Sequence, residues 1–305
     1  MWIVLAFISA SLLGLYDACK KHSLRENAVI PILFLNTLFC SMIFLPAIVL
    51  SATGNISADS QLYVEPWNWH EHRYILLKAV IVLSSWVLGY FAMKQLPLTI
   101  VGPVNATRPV MTIVAALLIF GESLNAWQWA GVGLAAISFF MLSRSGRKEG
   151  IRFTHNRYIY FLIGAAMLGA LSAIYDKYLM SPPDTGGLGI QKMAVQGWYN
   201  LYQCIMMGLV TITIWWPTRK SGQRFTWRWS IIFISIFLTL ADFAYFYALT
   251  FPDAMISIVS MVRRGSVIVS FLCGALAFGE KNLRSKAIDL ALVLAGMACL
   301  WIGTS

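Results

Sequence analysis

Ten stretches of roughly 20 apolar residues, each long enough for one helical crossing of a hydrocarbon core about 30 Å thick, take up most of the chain. They lie near 2–18, 29–50, 74–95, 99–120, 126–143, 158–179, 193–216, 229–250, 254–278 and 285–303. A segment immersed in lipid has to bond its own backbone, so these stretches are expected to be helices. Apolar residues make up 59% of the 305 and charged residues 12%, with a mean hydropathy of +0.70. That leaves too little polar material to cover a soluble protein. The expected fold class is all-α, a polytopic membrane protein of ten transmembrane helices. The first stretch has no charge before Asp17 and no small-residue cleavage site, so it is not expected to be a signal peptide.

The chain repeats itself at half length. Tyr16-Asp17 returns as Tyr175-Asp176, Asn36 and Cys40 as Asn200 and Cys204, Tyr90-Phe91 with Pro97 as Tyr245-Phe246 with Pro252, and Phe120-Gly121-Glu122 as Phe278-Gly279-Glu280. The offsets are 159, 164, 155 and 158, which suits duplication of one unit. This divides the chain into a first five-helix repeat over 1–143, a basic linker over 144–157 and a second repeat over 158–305. Five spans is an odd number, so the second copy is expected to insert upside down. Inverted repeats are a recurrent architecture of secondary transporters, in which the halves exchange conformations to give alternating access.

Net charge is +10, but its placement carries more meaning than its size. The loops after helices 1, 3, 5, 7 and 9 hold 16 of the 23 Lys and Arg residues, whereas the opposite face holds only Arg73, Lys78, Lys177 and Lys192. By the positive-inside rule the basic face is cytoplasmic and both termini lie outside. A nucleic-acid partner is not expected.

Three basic residues fall inside helices: Arg108, Arg263 and Arg264. Each would cost roughly 2.5–3.5 kcal/mol facing lipid at mid-membrane, so they should face protein or water. Either they are structural, paired with carboxylates or capping broken backbone, or they hold an anionic group of a substrate, which guanidinium suits. Asp242 lies at the depth of Arg263 and is expected to pair with it. Its repeat counterpart is Val87, so positive charge is left in excess, favouring an anionic or zwitterionic ligand. Pro103, Pro109 and Gly265 predict backbone breaks beside the arginines, a feature tolerated where it lines a cavity.

Gln196, Asn200 and Gln203 share one face of helix 7, and Asp242 with Tyr245 one face of helix 8. Asn36 matches Asn200 across the repeat. The substrate-binding candidates are therefore Arg108, Arg263, Arg264, Asp242, Asn200, Tyr245, Gln203 and Asn36, with interhelical hydrogen bonding as the competing role for the amides. Candidates for coupling or gating are Asp17, Asp176, Glu122 and Glu280. Solvated end charges or pairing between repeats compete for the two aspartates, and structural caps for the two glutamates. Trp67, Trp69, His70, Glu71 and His72 read as an interfacial belt rather than a metal site. The five cysteines show no metal or redox spacing. No reactive constellation of an enzyme is present, all four histidines fall in loops, and neither cofactor nor metal is expected.

The two segments AALLIFGESLNAWQWAGVGLAAISFF and GALAFGEKNLRSKAIDLALVLAGMAC each close an apolar helix on Gly-Glu before a short turn and a final helix rich in small residues. In this the chain resembles the drug/metabolite transporter superfamily, specifically proteins with two tandem EamA domains. The resemblance implies a central cavity lined mainly by helices 1, 3, 4, 6, 8 and 9, and export or exchange of small metabolites such as amino acids, nucleotide sugars or drugs. It also implies termini in the cytoplasm, against the charge count. The carboxylate that the small multidrug-resistance branch carries in mid-helix 1 is absent here. The expected function is a secondary transporter of small anionic or zwitterionic metabolites, with a lipid or head-group flippase or a multidrug efflux transporter as the alternative. Expected partners are the lipid bilayer, a small-molecule substrate, and a coupling proton or counter-substrate. The protein is expected to act as monomer or homodimer in a bacterial plasma membrane.

Overall fold

A computed structural model describes residues 2–60, 62–66, 68–111, 125–147, 151–180, 183–219, 224–249 and 262–304. Glu122 with Phe120-Gly121, and likewise Pro252 and Trp67, lie outside the described residues. Among the described residues there is no strand, and the helices of nine residues or more number ten. They are α1 (Trp2–Leu24), α2 (Val29–Ala52), α3 (Trp69–Gln95), α4 (Leu98–Ala106), α5 (Ala126–Arg147), α6 (Arg157–Met180), α7 (Lys192–Val210), α8 (Ser230–Leu249), α9 (Ser266–Leu276) and α10 (Leu283–Thr304). Six of these, α1, α2, α3, α5, α6 and α10, are long and apolar enough to cross a membrane. Large side chains such as Phe7, Ile212, Leu240 and Leu276 face outward, where hydrocarbon surroundings accommodate them.

Helix ends follow local chemistry. Asn125 accepts from the backbone N–H of Gln128 at 2.9 Å while the Gln128 side chain accepts from Asn125 N–H at 3.0 Å, a reciprocal box that starts α5. Asn68 accepts from His70 N–H at 3.2 Å and starts α3. At the far end of α7 the backbone loosens into a π-helical turn, Thr211–Trp215, which the sequence pattern does not announce. His72, expected in a loop, lies in the first turns of α3 and is 3% exposed, its ring meeting the Tyr202 hydroxyl at 2.5 Å.

The helices pair across the two halves. α1 lies along α8 and α3 along α6, while α2 packs on α7, α4 on α9 and α5 on α10. Exchanging each helix for the one five places away converts the first pair into the second and leaves the other three unchanged. Serine hydroxyls close several of these seams against backbone carbonyls: Ser9 on Ala241 at 2.6 Å, Ser85 on Ala165 at 2.7 Å and Ser138 on Asp289 at 2.8 Å. Small residues bring backbones close in the way apolar helices associate in lipid. A methyl group on Gly131 would sit 2.8 Å from the carbonyl oxygen of Gly296.

Contacts sort the loops onto two faces. On one, Asn27 donates to the Thr226 carbonyl at 2.7 Å, Lys94 to the Asn27 carbonyl at 2.5 Å, Arg228 to the His22 carbonyl at 2.5 Å, and Leu98 N–H to Glu280 at 2.6 Å. These bonds bring together the loops after α1, α3, α7 and α9, four of the five basic loops. On the other, Glu65 N–H donates to Gln191 at 3.3 Å, and Asn125 donates to the Gly303 carbonyl at 2.6 Å.

Candidate functional site

Helices α4 and α9 are interrupted beside their arginines. Pro109 has no N–H to give to Asn105, which removes one helical bond. α4 accordingly stops at Ala106, Thr107 forms a turn, and helix resumes at Arg108. In the second half Gly265 forms the matching turn, its N–H bonded to the Val262 carbonyl at 2.9 Å, between helical Arg263-Arg264 and α9.

These two breaks border a cavity of about 410 Å³. Its lining comes from α1, α3, α4, α6, α8 and α9 with the residues that lead into it, the set the family resemblance implies. Arg108, Arg263, Arg264, Tyr245 and Asp17 all line it. Arg108 lies against α6 where Gly169 leaves room, since a methyl group there would sit 2.8 Å from the guanidinium carbon. Its Nη2 donates to the Asn105 side-chain oxygen at 3.2 Å. Arg263 bonds Asp242 through Nη2, the expected pair, and lies over the Tyr245 ring, 4.4 Å from its centroid. Its Nε makes no hydrogen bond among the described residues. Arg264 interacts electrostatically with both Arg108 and Arg263.

Lys20, one of the basic residues counted with the loop after the first helix, is a lining residue. It is 8% exposed, pairs with Asp17 at 3.1 Å, donates to the Tyr16 hydroxyl at 3.2 Å and sits 5.2 Å from the Tyr90 ring centroid. The i, i+3 and i, i+4 spacings of Asp17, Tyr16 and Lys20 place all three on one helix face, a signal that was available. Asp17 also accepts from Ser270 on α9 at 3.1 Å, a contact between the halves. Tyr90, 1% exposed, lines the cavity beside Tyr16, and its hydroxyl makes no well-formed hydrogen bond among the described residues.

The remaining candidates are placed elsewhere. Asp242 stands behind Arg263 rather than in the lining. Asn36, Asn200 and Gln203 are buried but absent from the lining. Asn36 accepts from Ser235 at 3.0 Å and Asn200 donates to the Gln196 carbonyl at 2.8 Å. Asp176 bonds Lys78 at 2.5 Å across the α3–α6 seam, with the ammonium 4.7 Å from the Tyr199 ring centroid. Glu280 accepts from Leu98 N–H at 2.6 Å, Thr99 N–H at 2.8 Å and the Thr99 hydroxyl, capping α4 from the opposite half.

Residues 1–144 match the EamA-like transporter family. One relative, an uncharacterized transporter in the cobO 3′ region of a Sinorhizobium species, is 26% identical over 97 residues, which is 32% of this chain and 65% of that protein. The chain thus spans just under two thirds of that relative's length. A solved crystal structure 15% identical in sequence superposes over 97% of this chain and 96% of that one with a TM-score of 0.57, a likeness of fold alone. Both the family and the relative are named as transporters. The protein is an integral membrane protein whose residues 1–144 match the EamA-like transporter family.

Proposed function

We propose that the protein is a secondary transporter of small anionic or zwitterionic metabolites, built from two inverted five-helix repeats that give alternating access to one central site. The observation that carries this reading is the cavity between the halves, with Arg108, Arg263 and Arg264 in its wall beside two backbone breaks. Support for the inversion comes from helix pairings that survive exchange of the halves. Asp17 with Lys20 toward the basic face, and Asp176 with Lys78 toward the other, act as gates at the two ends. Glu280 ties the start of α4 to the opposite half.

Purified protein in liposomes preloaded with a mixture of amino and organic acids should exchange at least one of them for labelled solute outside. Arg264→Ala should lower the rate at least tenfold while the protein stays folded by gel filtration. Exchange that runs unchanged in both Arg263→Ala and Arg264→Ala would remove the site from the mechanism.

A further inference from the structure

Outside the cavity, a carboxyl group lies buried with nothing to bond. Asp289 of α10 is 0% exposed, and neither of its side-chain oxygens has a hydrogen-bond partner among the described residues. The Ser138 hydroxyl of α5, across the seam, donates to the Asp289 backbone carbonyl instead. α10 packs on α5 and α4. Within its bounds α4 carries no charged residue, and the two on α5, Arg144 and Arg147, are exposed near its end. Val267 and Phe271 of α9 join Ala106 and Leu290 in an apolar cluster, and Arg284 of α10 is exposed. An ionised carboxylate without a donor is costly in such surroundings, because nothing replaces the hydration it gives up. The acid form carries no charge and gives up far less.

One cation stands near. Lys286, one turn earlier on α10, is also 0% exposed and acts electrostatically on Asp289. Its ammonium donates to the Thr99 hydroxyl at 2.8 Å, and that hydroxyl bonds Glu280, the cap on α4 from the opposite half. The i, i+3 spacing puts Lys286 and Asp289 on one helix face, so the ammonium can serve either Thr99 or the carboxylate. The first copy builds its last helix without either charge. The offset of 158 that aligns Glu122 with Glu280 sets Gln128 against Lys286 and Gly131 against Asp289. α10 starts at Leu283, which puts Asp289 about 9 Å inside the basic face at about 1.5 Å per residue.

Resting on the transporter reading, we infer that Asp289 is a proton-binding site, occupied in this conformation, whose proton couples transport to a pH gradient through Lys286, Thr99 and Glu280. Release of the proton to water at the basic face leaves a carboxylate that draws the Lys286 ammonium from Thr99. The bond between Glu280 and α4 then loses a cation that supports it, and the basic end of the cavity is freer to open. Lys21 of α1, which also acts on Glu280, stays in place, so the latch weakens rather than vanishes. Uptake of a proton restores it.

Infrared spectra of the purified full chain at about pH 6, where ordinary carboxyl groups are ionised, should contain the carbonyl band of a protonated carboxyl group. Raising the pH should remove that band, Asp289→Asn should lack it throughout, and Asp289→Glu should shift it. Gel filtration checks that each variant is folded. In liposomes loaded with labelled amino and organic acids, a pH gradient should drive protein-dependent efflux of at least one of them. One pH unit is equivalent to about a tenfold solute gradient per coupled proton. Asp289→Asn should bring efflux with the gradient down to efflux without it, and Asp289→Glu should keep part of the difference. No such band in the wild type, a band that survives in Asp289→Asn, or a gradient response that survives there would overturn the inference. Solute exchange indifferent to the pH gradient, or driven by a sodium gradient instead, would sink proton coupling and leave the transporter reading standing. A band that Asp289→Asn removes, in a protein that moves no solute, would support the proton site and sink the transporter reading.

Discussion

Single atoms decide how closely the helices around the cavity approach. Gly14 of α1 faces Val269 of α9, and a methyl group at Gly14 would sit 2.4 Å from the Val269 Cβ and 2.6 Å from its Cγ1. Those atoms belong to a stiff β-branched side chain and have little room to retreat. Gly133 of α5, by contrast, has nothing within 4 Å of an added methyl. Gly14→Ala is therefore expected to destabilise by about 1–3 kcal/mol through overpacking, while Gly133→Ala gains about 0.5–1 kcal/mol from helix propensity. Thermal midpoints in one detergent will rank them, and a Gly14→Ala midpoint at or above wild type would show that the α1–α9 seam is looser than described. Sequence could not separate these two glycines, because both lie in apolar helices with ordinary neighbours. What differs is a residue 255 positions away in one case and open space in the other.

At the scale of elements, the polar groups that matter join helices remote in sequence. The α3–α6 seam holds Lys78 bonded to Asp176 at 2.5 Å, with Lys78 side chain 9% and Asp176 side chain 30% exposed. Reading along the chain, Lys78 counts only as a charge on the sparsely basic face and Asp176 as one half of a repeated Tyr-Asp pair. That Asp17 and Asp176 both reach the other half, through Ser270 and Lys78, becomes visible only when the halves are docked. The pair between Arg263 and Asp242 was legible, since both lie at one depth relative to the same turn. The destination of Asn36, Asn200 and Gln203 was not, because helical periodicity gives a common face without saying whether cavity or neighbouring helix lies opposite. For the α3–α6 seam, Lys78→Met or Asp176→Asn should each cost roughly 1.5–3 kcal/mol, the range for a hydrogen bond to a charged group. The exchanged double variant, Lys78→Asp with Asp176→Lys, should recover a good part of that. Single variants that melt with the wild type would mean the pair holds nothing, and a double variant worse than either single would argue for packing instead of charge.

Over the whole molecule, each of the ten apolar stretches contains a described helix, six of them long and apolar enough to cross a membrane, because lipid leaves a chain so few ways to satisfy its backbone. The distribution of basic residues was equally readable. Four of the loops after odd-numbered helices bond to one another on one face, and those loops are ones the charge count groups together. Contacts alone do not say which side of the membrane that face occupies. The charge count argues for the cytoplasmic side, since Lys and Arg near helix ends are favoured there, and it opposes the orientation the family resemblance implies. Two exposed positions separate the alternatives in a background whose native cysteines are replaced: Ser57 in the loop before α3, and Arg152 in the basic loop before α6. With a membrane-impermeant maleimide on intact cells, Ser57→Cys should label and Arg152→Cys should label only after permeabilisation. The opposite pattern would place both termini in the cytoplasm and overrule the charge bias. It would also turn the face that carries Lys20 and Asp17 outward and the face that carries Lys78 and Asp176 inward.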